Sequence, residues 1–295
     1  KTKKTIDVDE TKEPFNFTGN YRKPFHVCTW LASKSVPVGV GGPGGAAGYL
    51  FFETYDGFKF KSIDKLFTQP HYQKKYTFTD TPIRSTAYEG KILDYTIARN
   101  IDLSNNLMLG AYSNTTLFFD FYANDYQLRT FSVDSSDDAE KTGGGSKGKT
   151  EHGGADDLFT VNDEFRKSPS RLMNTVLDIG TLPSGKDSTE QLKNWKENRE
   201  KPTSDPYNTM VQAAMRYNQL FGIKINIMIA GEFKLRAGDL LFCDFPELTI
   251  EKSTMSYNEV SGGIYMISSL CHRITGKDTY TSLSLVRDTF GRKQY

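Results

Sequence analysis

From Asp205 to Arg287 the chain presents one helical pattern and then four strand patterns, and that order leaves few folds open. Asp205 suits a helix cap and Pro206 the first helical position. Tyr207, Met210, Val211, Ala214, Tyr217 and Phe221 recur at three- and four-residue spacing, which is one apolar stripe along a helix. Gly222 fits a left-handed cap at its end. Strand patterns follow at 223–229, 239–245, 263–274 and 280–287. A helix feeding consecutive strands predicts a β-rich α+β fold with the helix packed on its strands. No recognisable catalytic set lies within it.

Composition bounds the rest. Hydrophobic residues at 37% and charged residues at 25% place the 295-residue chain in the soluble globular class, with room for two domains. A net charge of +1 supplies no global drive toward nucleic acid or acidic membranes. Cys28, Cys243 and Cys271 are an odd number and far apart, the pattern of reduced thiols in a cytosolic assembly setting rather than of a disulfide framework. No apolar run approaches the roughly 18 residues of a membrane span. The charged start KTKKTIDVDETKEP carries no signal-peptide pattern. With Lys1 in place of an initiator methionine, the sequence reads as a fragment of a longer chain.

Upstream, residues 1–20 read as an extended polar lead-in, and Pro24 opens a helix over 25–34 with Val27, Trp30 and Leu31 on one face. A glycine-rich loop covers 39–48. A hairpin follows, with strands 49–54 and 58–63 around Tyr55-Asp56-Gly57, a strong two-residue turn signal. Pairing Tyr55 with Phe58 puts Phe51, Glu53, Tyr55, Phe58, Phe60 and Ser62 on one face, expected to be core, with Lys59 and Lys61 beside Phe52 and Thr54 on the other. Further strands are expected at 92–98, 106–112, 116–122, 127–133 and 171–177, and a polar helix anchored by Trp195 at 188–199. Residues 135–157 (SSDDAEKTGGGSKGKTEHGGADD) hold almost no apolar surface to offset ordering entropy, so a loop or linker is expected there.

Motifs that could carry chemistry fail on context. Gly39-Val40-Gly41-Gly42-Pro43-Gly44 spells G-x-G-x-x-G, but a helix precedes it and a strand follows, the reverse of what pyrophosphate binding needs. Gly144-Gly145-Ser146-Lys147-Gly148 spells the hydrolase elbow, yet lies inside the expected loop, where no strand-to-helix turn holds Ser146. His26 and Cys28 are two apart on an expected helix and do not face each other. Cys271 and His272 are neighbours on a strand and point to opposite faces. No metal-ligand spacing is present, so the three cysteines read as small core residues and His272 as a strand-end histidine. Carboxylates are abundant, but no local signature selects a catalytic pair. Sixteen tyrosines and twenty phenylalanines come without a basic groove, which favours packing over base stacking. No catalytic residue, cofactor or metal is assigned.

The strings MVQAAMRYNQLFG (210–222), LRAGDLLFCDFP (235–246), SGGIYMISSLCHRI (261–274) and YTSLSLVRDTFGR (280–292), in that order, resemble the baseplate hub protein of contractile-tailed phages of the T-even type. GAYSNTTLFFDFY (110–122) is similar to the same family where its chain returns to complete a first barrel. The architecture recurs in the hub part of type VI secretion spike proteins. The resemblance implies tube-type β-barrel domains with a packed helix, plus a smaller inserted α+β domain. Residues 1–87 would form the inserted domain, 88–134 strands completing a first barrel whose N-terminal part is missing, 135–162 a flexible loop, and 163–295 the second barrel. It also implies a homotrimer whose pseudo-sixfold ring joins the tail tube protein to the central spike protein beside other baseplate subunits. DNA would only pass through the lumen. The place would be the virion baseplate, after assembly in the host cytoplasm. A tail-associated cell-wall hydrolase and a type VI-like hub are the competing readings.

In the last strand, period-two alternation separates Thr281, Leu283 and Leu285 from Tyr280, Ser282, Ser284 and Val286. The leucines are expected to face the barrel core. Tyr280, Ser282, Ser284 and Val286 are the expected assembly interface or lumen wall.

Overall fold

The four C-terminal strand patterns and the helix before them all form. They do so within a computed structural model that describes residues 3–12, 17, 21–38, 47–78, 89–98, 108–110, 113–120, 125–132, 171–176, 193, 206–220, 223–245 and 262–287. In chain order the elements are β1 (Ile6–Val8), α1 (Pro24–Ala32), β2 (Tyr49–Thr54), β3 (Gly57–Ser62), α2 (Ile63–Thr68), β4 (Lys75–Phe78), β5 (Lys91–Ala98), β6 (Ser113–Asp120), β7 (Asp125–Ser132), β8 (Leu172–Val176), α3 (Pro206–Leu220), β9 (Ile223–Ala230), β10 (Leu240–Asp244), β11 (Gly263–Ile274) and β12 (Thr279–Arg287). The fold is β-rich α+β.

At its centre is a closed barrel with strand order β10–β11–β12–β9–β5–β4. β4 runs parallel to both β5 and β10, and the other neighbours are antiparallel. Alternate residues fill the interior: Ile225, Ile227 and Ile229 from β9, Leu283 and Leu285 from β12, Leu241 and Cys243 from β10, and Tyr265 and Ile267 from β11. Tyr76 and Ile92 complete it from β4 and β5. A barrel this narrow is packed solid by its own side chains, each fully buried aliphatic contributing about 1.5–3 kcal/mol. Bulges interrupt the alternation at Ser268 of β11 and Leu93 of β5.

The strand expected at 92–98 does not join its neighbours in a first barrel. It pairs with β9 along its length, from Ile92↔Ile229 to Ala98↔Lys224, and so belongs to the same barrel as the C-terminal strands. β4, which the sequence reading missed, comes from the segment assigned to the inserted domain. β6, β7 and β8 form a separate three-stranded sheet, order β7–β6–β8. No strand forms at Met108–Gly110 within the expected 106–112, because Gly110 turns the chain with φ +71.

The hairpin keeps its expected faces but not its expected register. Thr54 pairs with Gly57, so Tyr55 and Asp56 form the turn and Tyr55 leaves the sheet. The reason lies outside the hairpin: β1, within the segment expected as an extended polar lead-in, runs parallel beside β3, and Phe58 N–H donates to Thr5 O at 2.9 Å. Gly57 takes φ +142, and a Cβ there would stand 2.5 Å from that same Thr5 carbonyl. Only glycine fits. Phe25 of α1 packs against Phe51 and Phe58, with centroids 5.6 and 5.2 Å away, and Tyr49 stacks on Phe60.

The opposite face of this sheet seats on the barrel. Leu50 and Phe52 pack with Ile63, Leu66 and Phe67 of α2, Leu220 of α3, and Leu240, Met266 and Val286 from the barrel's outer surface. The buried Asp64 carboxylate accepts from Arg216 Nε and Nη2, each at 2.9 Å, bolting α2 to α3. On α3, Val211 of the expected stripe is buried and Met210, Ala214 and Tyr217 half-buried. The helix is covered more widely than one stripe, since Thr209, Ala213, Met215 and Arg216 are buried too. The readings at Asp205, Phe221, Gly222, 39–46, 135–157 and Trp195 lie outside the described residues.

Candidate assembly surface

Among the described residues, the barrel is wrapped on one side and exposed on the other. Where β5, β9, β12 and β11 run antiparallel, their outward side chains form cross-strand rows. One row holds Thr96, Asn226, Ser284 and Ser269, and the next Asp94, Met228, Ser282 and Cys271. Tyr280 and Arg273 pair beyond them. Ser282, Asn226, Thr96, Asp94, Ser269, Cys271 and Arg273 are exposed, while Ser284, Met228 and Tyr280 are half-buried.

Hydrogen bonds cross this face. Ser284 Oγ donates to Asn226 Oδ1 at 2.8 Å, and Ser268 Oγ, lifted by the bulge, donates to the Ser284 carbonyl at 2.9 Å. With Asp94, Arg273 and Lys224 as its described charges, the surface offers hydroxyls and amides without a strong field of either sign. Such an arrangement can bind a polar surface or line a passage.

Of the four residues assigned to the interface, the structure brings Tyr280, Ser282 and Ser284 onto the open face and removes Val286. That side chain is 2% exposed, covered by Leu66, Phe67 and Leu220 at the end of β12 that the helices wrap. Sequence alternation finds a strand's two faces but not where along its length one of them is roofed. The change from serine at 282 and 284 to valine at 286 was the available signal. Asn226 and Lys224 were legible in the alternation IKINIMIA, whereas the bulge at Leu93 hid Asp94 and Thr96.

The cysteines separate by environment. Cys243 is buried in the barrel and burial pushes its thiol far up; Cys28 is half-buried, and its thiol is raised by the same cause. Cys271 is exposed, contrary to the expectation of three core thiols, because its outward face on β11 is bare. His272 turns inward, as the alternation required, and its Nδ1 lies 2.9 Å from Thr281 Oγ1. Burial raises the Tyr265 hydroxyl to about 12, with the Arg287 guanidinium pulling the other way. Among the described residues no group of three His, Cys, Asp or Glu side chains is placed to hold a metal, and no helix is long and apolar enough to cross a membrane.

No family model matches the chain, and no curated protein does. Among solved structures it is similar to the crystal structure of the tail protein from Neisseria meningitidis MC58, at 11% identity and a TM-score of 0.45. A tail protein is among its structural neighbours. The similarity covers 98% of this chain and 62% of that one, so this chain spans under two thirds of the neighbour's length. At that similarity the fold rests on its own strand pairing, set out above.

Proposed function

We propose that the chain is a structural subunit of a phage-tail baseplate hub, forming a ring that connects the tail tube to the central spike. The observation that carries this reading is the four-strand face of a closed barrel, exposed among the described residues, polar and hydrogen-bonded. Such a face suits the wall of a channel or a contact with a neighbouring ring. Of the strings that resemble the hub family, 235–246, 261–274 and 280–292 cover the barrel strands β10, β11 and β12, the last two on that face. The string 210–222 covers α3, which packs against the barrel, and 110–122 covers β6 of the separate sheet. In this reading the protein works by geometry and symmetry matching, as a homotrimer in the virion, with DNA passing through and no covalent chemistry.

The test is the symmetry of the full-length protein, by native mass spectrometry and particle images. Threefold rings are expected, with an obligate interface above roughly 2,000 Å². A protein that stays monomeric both alone and with its spike partner ends the hub reading. Clearing of peptidoglycan in a zymogram, lost on mutation of this chain, would replace it with the hydrolase.

A further inference from the structure

Between β9 and β10, residues 231–239 fold over one end of the barrel. Leu235 drops into the interior and is fully buried, while Phe233 stays at the rim, 50% exposed, its ring 5.0 Å from that of His272. Hydrogen bonds hold this loop in one shape. Gly231 N–H donates to Thr279 O at 2.9 Å, Glu232 N–H to Thr281 Oγ1 at 3.0 Å, and Arg236 N–H to Asp239 Oδ2 at 2.8 Å. Arg236 also ties the loop to the β2–β3 turn. Its Nη1 donates to Phe233 O at 2.7 Å and its Nε to Asp56 Oδ2 at 2.8 Å, and its guanidinium lies 5.4 Å from the Tyr55 ring centroid.

Three large apolar side chains stand out at this end, linked through Arg236 and His272. They are Tyr55 at 86% exposure, Phe233, and Ile274 at 71%, two residues beyond His272 on the same face of β11. Together they expose roughly 400 Å², within the range of about 300–600 Å² for the largest patch on a monomer. Aromatic side chains and arginine are the residues enriched at the centres of protein interfaces. Side chains held out on a hydrogen-bonded loop also have less freedom to lose on docking.

The charges around the patch select its partner. Lys234 beside Phe233, and Arg273 and Lys277 where β11 turns into β12, are exposed and enter no ion pair among the described residues. Asp278 is the one acid in that turn, while Glu232 and Asp56 are matched by Lys74 and Arg236. The patch is therefore rimmed by an excess of positive charge. This chain's own described carboxylates are mostly held in ion pairs, so a second copy is a poor match for that rim. Ile274 offers no ring for a base to stack on, and Arg236 already lies over Tyr55, which favours protein over nucleic acid.

We propose that this end of the barrel docks an acidic, apolar-tipped surface of a different tail protein, with Tyr55 and Phe233 as anchors and Lys234, Arg273 and Lys277 as the charged rim. The inference rests on the tail role proposed above and names the chemistry of one of its contacts.

The test uses the full-length chain with the tube protein and the spike protein of the same tail as separate binding probes, at low and high salt. The variants are Tyr55→Ser, Phe233→Ser and the double reversal Lys234→Glu with Lys277→Glu. All four positions are exposed, so melting curves should stay close to wild type. Loss of either aromatic should weaken binding to one of the two proteins by about thirtyfold or more. The charge reversal should slow association and flatten its salt dependence, and an acid-to-lysine change on that partner should restore both. If the folded variants bind both proteins as the wild type does, the inference is overturned and the hub reading stands. If the wild type binds neither protein and stays monomeric, both fall. If the variants lose self-association instead, or binding of a labelled single-stranded oligonucleotide instead, the occupant is a second copy or a nucleic acid, and either result overturns the inference.

Discussion

At the scale of single residues, β12 gives the sharpest contrast. Leu283 is 1% exposed inside the barrel, while Ser284 stands on the bare face one residue away. Leu283→Asp buries an unpaired carboxylate and should cost several kcal/mol, enough to prevent folding. Ser284→Asp should leave the melting temperature nearly unchanged and show its effect in ring assembly or docking. Melts and an assembly assay on both variants decide the matter, and the reverse result would mean the strand is misregistered. Arg216 and Asp64 are 2% and 1% exposed, so Arg216→Met should cost about 3–5 kcal/mol by leaving the carboxylate buried without its cation. Adding Asp64→Leu should recover most of that loss in urea titrations. Thiol accessibility offers a third check: an alkylating reagent should modify Cys271 first and leave Cys243 untouched until the barrel unfolds. Fast labelling of Cys243 in the native protein would contradict the packing described.

At the scale of elements, β1 is a strand held by charge. Its side chains are exposed, and its anchors are ion pairs: Asp7 with Lys59 and Lys61, Asp9 with Lys61, and Lys4 with Glu53. Hydrogen bonds from Lys59 and then Lys61 hold the Asp7 carboxyl below its ordinary value. A lowered carboxylate stabilises the strand above about pH 4 and loses its contribution as the pH falls through its own lower value. Burial pulls Lys61 down, yet hydrogen bonds to Asp7 and Asp9 leave it raised, so its contribution persists below about pH 10.5 and fades as the pH rises past its higher value. β1 should therefore be firmest between these limits and loosen in strong salt, by modest amounts because exposed pairs are worth about 0.2–1 kcal/mol each. Exchange protection at the Phe58 and Asp9 amides, which donate to Thr5 O and Phe60 O, should fall in acid before that of the barrel. Protection that does not move with pH or salt would rule the latch out. β9 was legible in the sequence because isoleucine recurs at every second position from Ile223 to Ile229, and β12 because Leu283 and Leu285 alternate with Ser282 and Ser284. β1 has three residues and β4 four, too few to show a period. The hairpin's faces were legible and its register was not, since Gly57 answers to Thr5, far from the turn. Likewise Tyr280, Ser282 and Ser284 could be read from alternation, while the roof over Val286 is built from helices encoded elsewhere.

At the scale of the molecule, the barrel carries two kinds of outer surface. One is roofed by α2, α3 and the β1–β3–β2 sheet; the other is exposed and polar among the described residues. In the proposed ring the exposed face would supply the wall of the channel or the contact with a neighbouring ring. The barrel's strand order has a consequence for synthesis. β4 and β5 leave the ribosome early, but the strands that pair with them, β9 and β10, come only after everything between Ala98 and Ile223 has been made. Closure is non-local and must wait for the last strand, which makes folding slow by the ordinary dependence on contact order. A chain that stops before Thr279 leaves β9 and β11 with raw edges, prone to clump rather than to build. Completion of the barrel thus acts as a checkpoint: only a chain translated through β12 can present the exposed four-strand face.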